Sequence, residues 1–205
     1  MAHVIPFHGT LYNPATVGDV RQVVAPPYDI IDATLQKTLH DRHPNNVIRL
    51  ELGYEQPGDT TGDNKYLRAA GALKEWLKSG ALRRDDKPAI YYHTIEYQPP
   101  YSAPGTPTKV FKGFLSTVEL EEFGSGKIYP HENTRAAAKT DRFNLLEACR
   151  ANFSAIISLY SDPQNDVLTL IEQSIASDKP RIDFQDDVGF RQRLWSVTDP
   201  AVLAK

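Results

Sequence analysis

The chain has 205 residues, 40% of them hydrophobic and 24% charged, a globular composition that suits one large domain or two small ones. Its net charge of −3 argues against nucleic acid or an anionic membrane as a partner. Cys149 is the only cysteine, which excludes an intrachain disulfide and a cysteine metal cage, and no apolar run approaches the ~20 residues of a membrane span.

The N-terminus, MAHVIPFHGT, lacks the charged, apolar and cleavage regions of a signal peptide, so a cytoplasmic protein is expected. Val20 to Ala25 then reads as a short buried strand, stopped by Pro26-Pro27 because tandem prolines cannot continue a ladder. The rigid corner APPYD (25–29) offers Tyr28 and Asp29 to a cleft, although a strand-ending turn with a buried tyrosine accounts for the same residues. Asp32 caps a short helix to about Asp41. NVIRLEL (46–52) alternates, with Ile48, Leu50 and Leu52 on one face and Val47, Arg49 and Glu51 on the other, the pattern of a half-buried strand.

After the polar loop YEQPGDTTGDN comes the clearest helix, residues 64 to 79. Tyr66, Ala69, Ala70, Leu73, Trp76 and Leu77 recur at three- and four-residue spacing, with Asp63 to cap the start and Gly80 to end it. Strands at 89–97 and 109–120, joined by a proline-rich linker, form an antiparallel hairpin with a long tip. FGSGKI (123–128) superficially matches a phosphate loop. Glu121 and Ile128 stand where the motif needs glycine and a hydroxyl, so an ordinary turn is expected. SAIISLYS (154–161) reads as a buried strand, NDVLTLIEQSIAS (165–177) as an amphipathic helix, and RIDFQDDVGFRQRLWSVTD as two strands around Asp186-Asp187. Together these predict a single α+β domain with a mixed, largely antiparallel sheet and helices packed on it.

The chemistry concentrates in YPHENTRAAAKTDRFNLLEA (129–148). His131-Glu132 opens like the zinc-protease motif H-E-x-x-H, but Arg135 stands where the second imidazole belongs, so no metal is expected. A helix runs either from Asp141 to Asn152 with Thr140 as cap, or from Thr134 with Asn133 as cap. Leu145, Leu146, Cys149 and Phe153 form its apolar stripe, and Arg142 falls on that stripe. In a first turn its charge also opposes the helix dipole, by about 0.3–1 kcal/mol. On a continuous helix Arg135, Lys139 and Arg142 share a face, a cradle for phosphate or carboxylate, with His131 and Glu132 beside it as acid–base groups. A structural pairing of Arg142 with a carboxylate such as Glu132 explains the pattern equally well.

The strings VVAPPYDII, YLRAAGALKEWLKSGAL, PAIYYHTIEY and, above all, KIYPHENTRAAAKTDRFNLLEACRANFSAIISLYSD resemble the bacterial and archaeal domain-of-unknown-function 1015 family, in order over essentially the whole chain. The resemblance implies a protein about twice this length, of which this is the N-terminal half, whose second half carries an I-A-D-G-H-H-R-Y string. That string is similar to a motif of the ParB and sulfiredoxin-like superfamily, which includes kinases of free serine. By this analogy the full-length protein is a phosphotransferase using ATP or ADP with magnesium. His131 or Glu132 would be the base on a small-molecule hydroxyl, and Arg142 with Arg135 would hold an anionic group. Thr134, Asp141, Tyr28 and Asp29 would complete the substrate site. The alternative is a non-catalytic ligand-binding or regulatory module.

Overall fold

The computed structural model describes residues 2–103, 105–122, 124 and 126–205. In chain order its elements are β1 (Val4–Ile5), β2 (Thr10–Tyr12), α1 (Pro14–Val17), α2 (Ala33–Arg42), α3 (Ile48–Glu51), α4 (Lys65–Ser79), β3 (Leu82–Arg84), β4 (Ile90–Tyr97), β5 (Lys109–Leu115) and β6 (Thr117–Val118). These are followed by α5 (Ala136–Cys149), α6 (Asp166–Ser174), β7 (Ile182–Gln185), β8 (Arg191–Val197) and α7 (Pro200–Leu203). Antiparallel sheets with interspersed helices make this an α+β fold. The chain divides into two compact units, one of residues 1–9, 85–129 and 157–205, the other of residues 10–84 and 130–156.

The first unit is built on β4. Its Tyr and Ile residues suit a pleated surface, and it pairs on both edges: with β5 from Tyr91↔Leu115 to Tyr97↔Lys109, and with β8 from Ile90↔Val197 to Glu96↔Arg191. β7 adds to the far side of β8, giving the antiparallel order β5-β4-β8-β7. Tyr92, Ile171, Ile175 and Val197 form the core where α6 covers the sheet. The expected hairpin and the two strands around Asp186 are present. Asp186 Oδ1 accepts from Val188 N–H and Phe190 N–H, which closes the second turn.

The expected strand at 109–120 divides at Ser116, and β6 pairs with β1 instead. SAIISLYS forms no strand. Ile156, Ile157, Leu159 and Tyr160 are 86%, 72%, 92% and 52% exposed, since apolar residues of high β-propensity make a strand only where a partner edge receives them. Of the expected turn at 123–128, Phe123 and Ser125 lie outside the described residues. The Glu121 carboxylate accepts from Lys127 N–H and Ile128 N–H. The residue that breaks the phosphate-loop motif therefore occupies amides that a phosphate would have used.

In the second unit α4 is the long element. Asn64, rather than Asp63, caps it, accepting from Tyr66 N–H and Leu67 N–H at 3.1 Å each, and Gly80 ends it at φ 77°. Val17, Val23, Leu50, Trp76, Ala81 and Leu82 form the core, with Tyr12, Leu73 and Phe153 against it. Asp32 caps α2 as expected, accepting from Leu35 N–H at 2.8 Å.

Two expected strands are absent from this unit, and Asn46 explains both. Residues 20–22 form a 3₁₀ turn capped by Asp19. The carbonyls of Gln22 and Val24 accept from the Asn46 side-chain amide at 2.8 and 3.0 Å, and that of Val23 accepts from Val47 N–H. With its backbone already satisfied, the segment needs no ladder. On the other side Asn46 Oδ1 accepts from Ile48 N–H at 3.0 Å and starts a helical turn, so NVIRLEL enters α3 and not a strand. Ile48, Leu50 and Glu51 are all buried there, a combination that strict alternation forbids.

Candidate functional site

Helix α5 begins at Ala136, with Arg135 at the cap position making no side-chain cap bond. The start lies between the two anticipated ones. The Thr140 hydroxyl donates to the Ala136 carbonyl rather than capping, and Arg142 sits in the second turn, clear of the unfavourable end of the dipole. Leu145 on the same helix is buried and draws that face inward.

The Arg142 guanidinium makes four hydrogen bonds within the second unit. Nη1 donates to Glu51 Oε1 at 2.8 Å and Nη2 to the Glu51 carbonyl at 2.9 Å. Nε and Nη2 both donate to Asp141 Oδ2, at 3.0 and 2.5 Å. Its Cζ lies over the Tyr28 ring, 4.1 Å from the ring centre, a cation–π contact. Glu51, 6% exposed, also accepts from the Ser154 hydroxyl. Asp141 further accepts from Tyr66 Oη at 2.8 Å and Lys65 Nζ at 3.0 Å. Burial alone would raise the Asp141 pKa, but the hydrogen bonds from Arg142, Lys65 and Tyr66 outweigh it and hold the carboxyl below its ordinary value. The space beside this cluster, lined by Glu51, Lys65, Tyr66, Asp141 and Arg142, is ≈ 10 Å³, room for about one water molecule.

Of the residues selected from sequence, Tyr28, Asp141 and Arg142 come together. His131, Glu132, Thr134 and Arg135 lie on the exposed stretch before and at the helix start, and their side chains make no hydrogen bond or ion pair among the described residues. Asp29 is exposed in the 3₁₀ turn 28–30. Lys139 is exposed on the first turn, so Arg135, Lys139 and Arg142 do not form a buried cradle. Arg142 pairs with Glu51, not with Glu132. No group of three or more metal-ligating side chains is arranged around a point among the described residues.

Sequence reasoning missed Glu51, Lys65 and Tyr66. Strict alternation places Glu51 on the outward face of a strand. Its helical spacing of three from Ile48 is the signal that places it inside. Lys65 and Tyr66 had no sequence signal beyond their place in the first turn of α4.

A family model described as a protein of unknown function, DUF1015, matches residues 4–205. No curated protein and no solved structure matches the chain. Among the described residues no helix is long and apolar enough to cross a membrane.

Proposed function

We propose that this chain, which belongs to the DUF1015 family, acts as a non-catalytic ligand-binding or regulatory module in which the HENTR…DR segment is a structural latch. What supports the reading is the engagement of Arg142: four of its five N–H groups have acceptors, Tyr28 lies against it, and the adjoining cavity holds only about one water. An incoming anion would have to displace Glu51 or Asp141, leaving a carboxylate without its partner. A catalytic base must also be held in place by its neighbours, and His131 and Glu132 are not.

The exposure of His131, Glu132 and Arg135 favours a second reading, the phosphotransferase, in which those groups await an external ligand and ATP or ADP with magnesium supplies the phosphoryl chemistry. One assay separates the two. The protein is incubated with Mg-ATP and serine, and ADP is measured. The module reading predicts no serine-dependent ADP. Serine-dependent ADP formation that disappears in Glu132→Gln would overturn it in favour of the kinase.

A further inference from the structure

A larger hollow, ≈ 190 Å³, lies in the same unit, lined by His40, Arg49, Tyr54, Gln56, Lys65 and Arg68 among others. No lining residue is acidic. Its three cations are not equivalent. Lys65 is paired with Glu55 and Asp141, and Arg68 with Asp59 and Asp63. Arg49 makes no ion pair among the described residues. Its Nη2 donates to the His40 carbonyl at 2.7 Å, and its Nε is buried with no hydrogen-bond partner there. His40, only 8% exposed, likewise has a buried Nε2 without a partner.

A half-buried guanidinium with no carboxylate and a buried N–H with no acceptor are both uncommon, because each loses water without full compensation. Here the two are neighbours in a cavity large enough for a small metabolite. Burial and the Arg49 cation push the His40 pKa down, against the smaller opposing effects of a hydrogen bond to the Leu52 backbone and of the Asp41 charge, so the neutral imidazole, with a single N–H, is favoured. The Tyr54 ring stacks on His40 with centres 4.0 Å apart and planes 20° from parallel, and it is 40% exposed on a loop.

We infer that this hollow is a binding site for a small oxyanion, the carboxylate or phosphate of a metabolite, held by the unpaired Arg49 guanidinium with the unpartnered Nε2 of His40 beside it. Gln56 supplies an amide at the rim, and Tyr54 moves aside to admit the anion to His40. The inference gives the module reading its ligand class and rests on it. The two remain separately testable, since turnover of Mg-ATP would remove the module reading while leaving anion binding to be measured.

The test is calorimetric titration of the protein with inorganic phosphate and, separately, with acetate, ionic strength being held constant with chloride. Saturable one-to-one binding of either anion, weakened about tenfold or more in Arg49→Gln, is the expected result. Binding of phosphate alone points to a phosphorylated ligand, and of acetate alone to a carboxylate, and both outcomes uphold the site. No saturable binding of either by the unsubstituted protein overturns the proposal, as does binding unchanged in a folded Arg49→Gln. If that variant does not fold, Tyr54→Phe and Gln56→Ala test the rim: Gln56→Ala should weaken binding several-fold and Tyr54→Phe leave it unchanged. A Gln56→Ala variant that binds like the parent then counts against the site.

Discussion

Replacing Arg142 with methionine should destabilise the second unit by about 3 kcal/mol. The substitution keeps an unbranched side chain on α5 but removes all donors to Glu51 and Asp141. Glu51 is the residue that suffers, because its side chain is 7% exposed and retains only the Ser154 hydroxyl as a partner. Breaking a buried pair from one side costs about 3–5 kcal/mol. The lower figure applies because Arg142 and Asp141 are themselves 24% and 25% exposed, and Asp141 keeps Lys65 and Tyr66. At this chain length that corresponds to a fall in Tm of roughly 6–12 °C. Denaturation followed by circular dichroism at 222 nm measures it, and a double-mutant cycle with Glu51→Gln isolates the pair. The coupling should be about 1–3 kcal/mol, so Arg142→Met costs clearly less once Glu51 is neutral. Arg142→Lys should not restore stability, since one ammonium cannot reach the Glu51 carboxylate, its carbonyl and Asp141 together. A loss below about 1 kcal/mol, or an equal loss in both backgrounds, would refute the latch.

Burial, reinforced by Arg49, lowers the pKa of His40, and burial also lowers that of His93. Below the ordinary value of 6.5 the unfolded chain then binds more protons than the folded one, so stability is flat above about pH 7 and falls toward about pH 5. Urea midpoints across that range should show the slope, and His40→Gln with His93→Gln should flatten it. A midpoint independent of pH there contradicts both shifts. The two glycines of the α4 region should respond in opposite directions. Gly80→Ala places a side chain at φ 77° and should cost about 1–2 kcal/mol, although the nearest atom to the new Cβ, Thr16 Oγ1, is 3.9 Å away. Gly71→Ala, at an exposed mid-helix position with nothing within 4 Å, should stabilise by about 0.5–1 kcal/mol, and equal effects at the two sites would rule out a backbone origin.

What could be read from sequence was what local residues decide. The α4 helix has period, cap and terminator within one stretch, and the β4–β5 hairpin has two β-rich runs bracketing a proline-rich linker. The errors arose where a distant side chain decided the outcome. Asn46 satisfies carbonyls more than twenty residues upstream, and nothing in Val20 to Ala25 announces it. For the candidate site, helical phase correctly identified Arg142 as an inward cation in search of a partner. It could not choose Glu51, ninety-one positions away, over the nearby Glu132. The hollow around Arg49 left no trace in the sequence, because its residues come from α2, α3, a loop and α4 and share no motif.

The division of the chain also bears on the order in which the protein can be made. Five consecutive segments alternate between the two units, and the last belongs to the first unit. During synthesis the second unit has all of its residues once Ile156 has left the ribosome. At that moment β4 has only one of its two neighbours, because β8 has not yet emerged. The edge of β4 that will receive β8 must wait with its amides and carbonyls unpaired until β8 arrives. A slow codon tract or a pause in that interval would prolong the state most prone to pairing with the wrong chain.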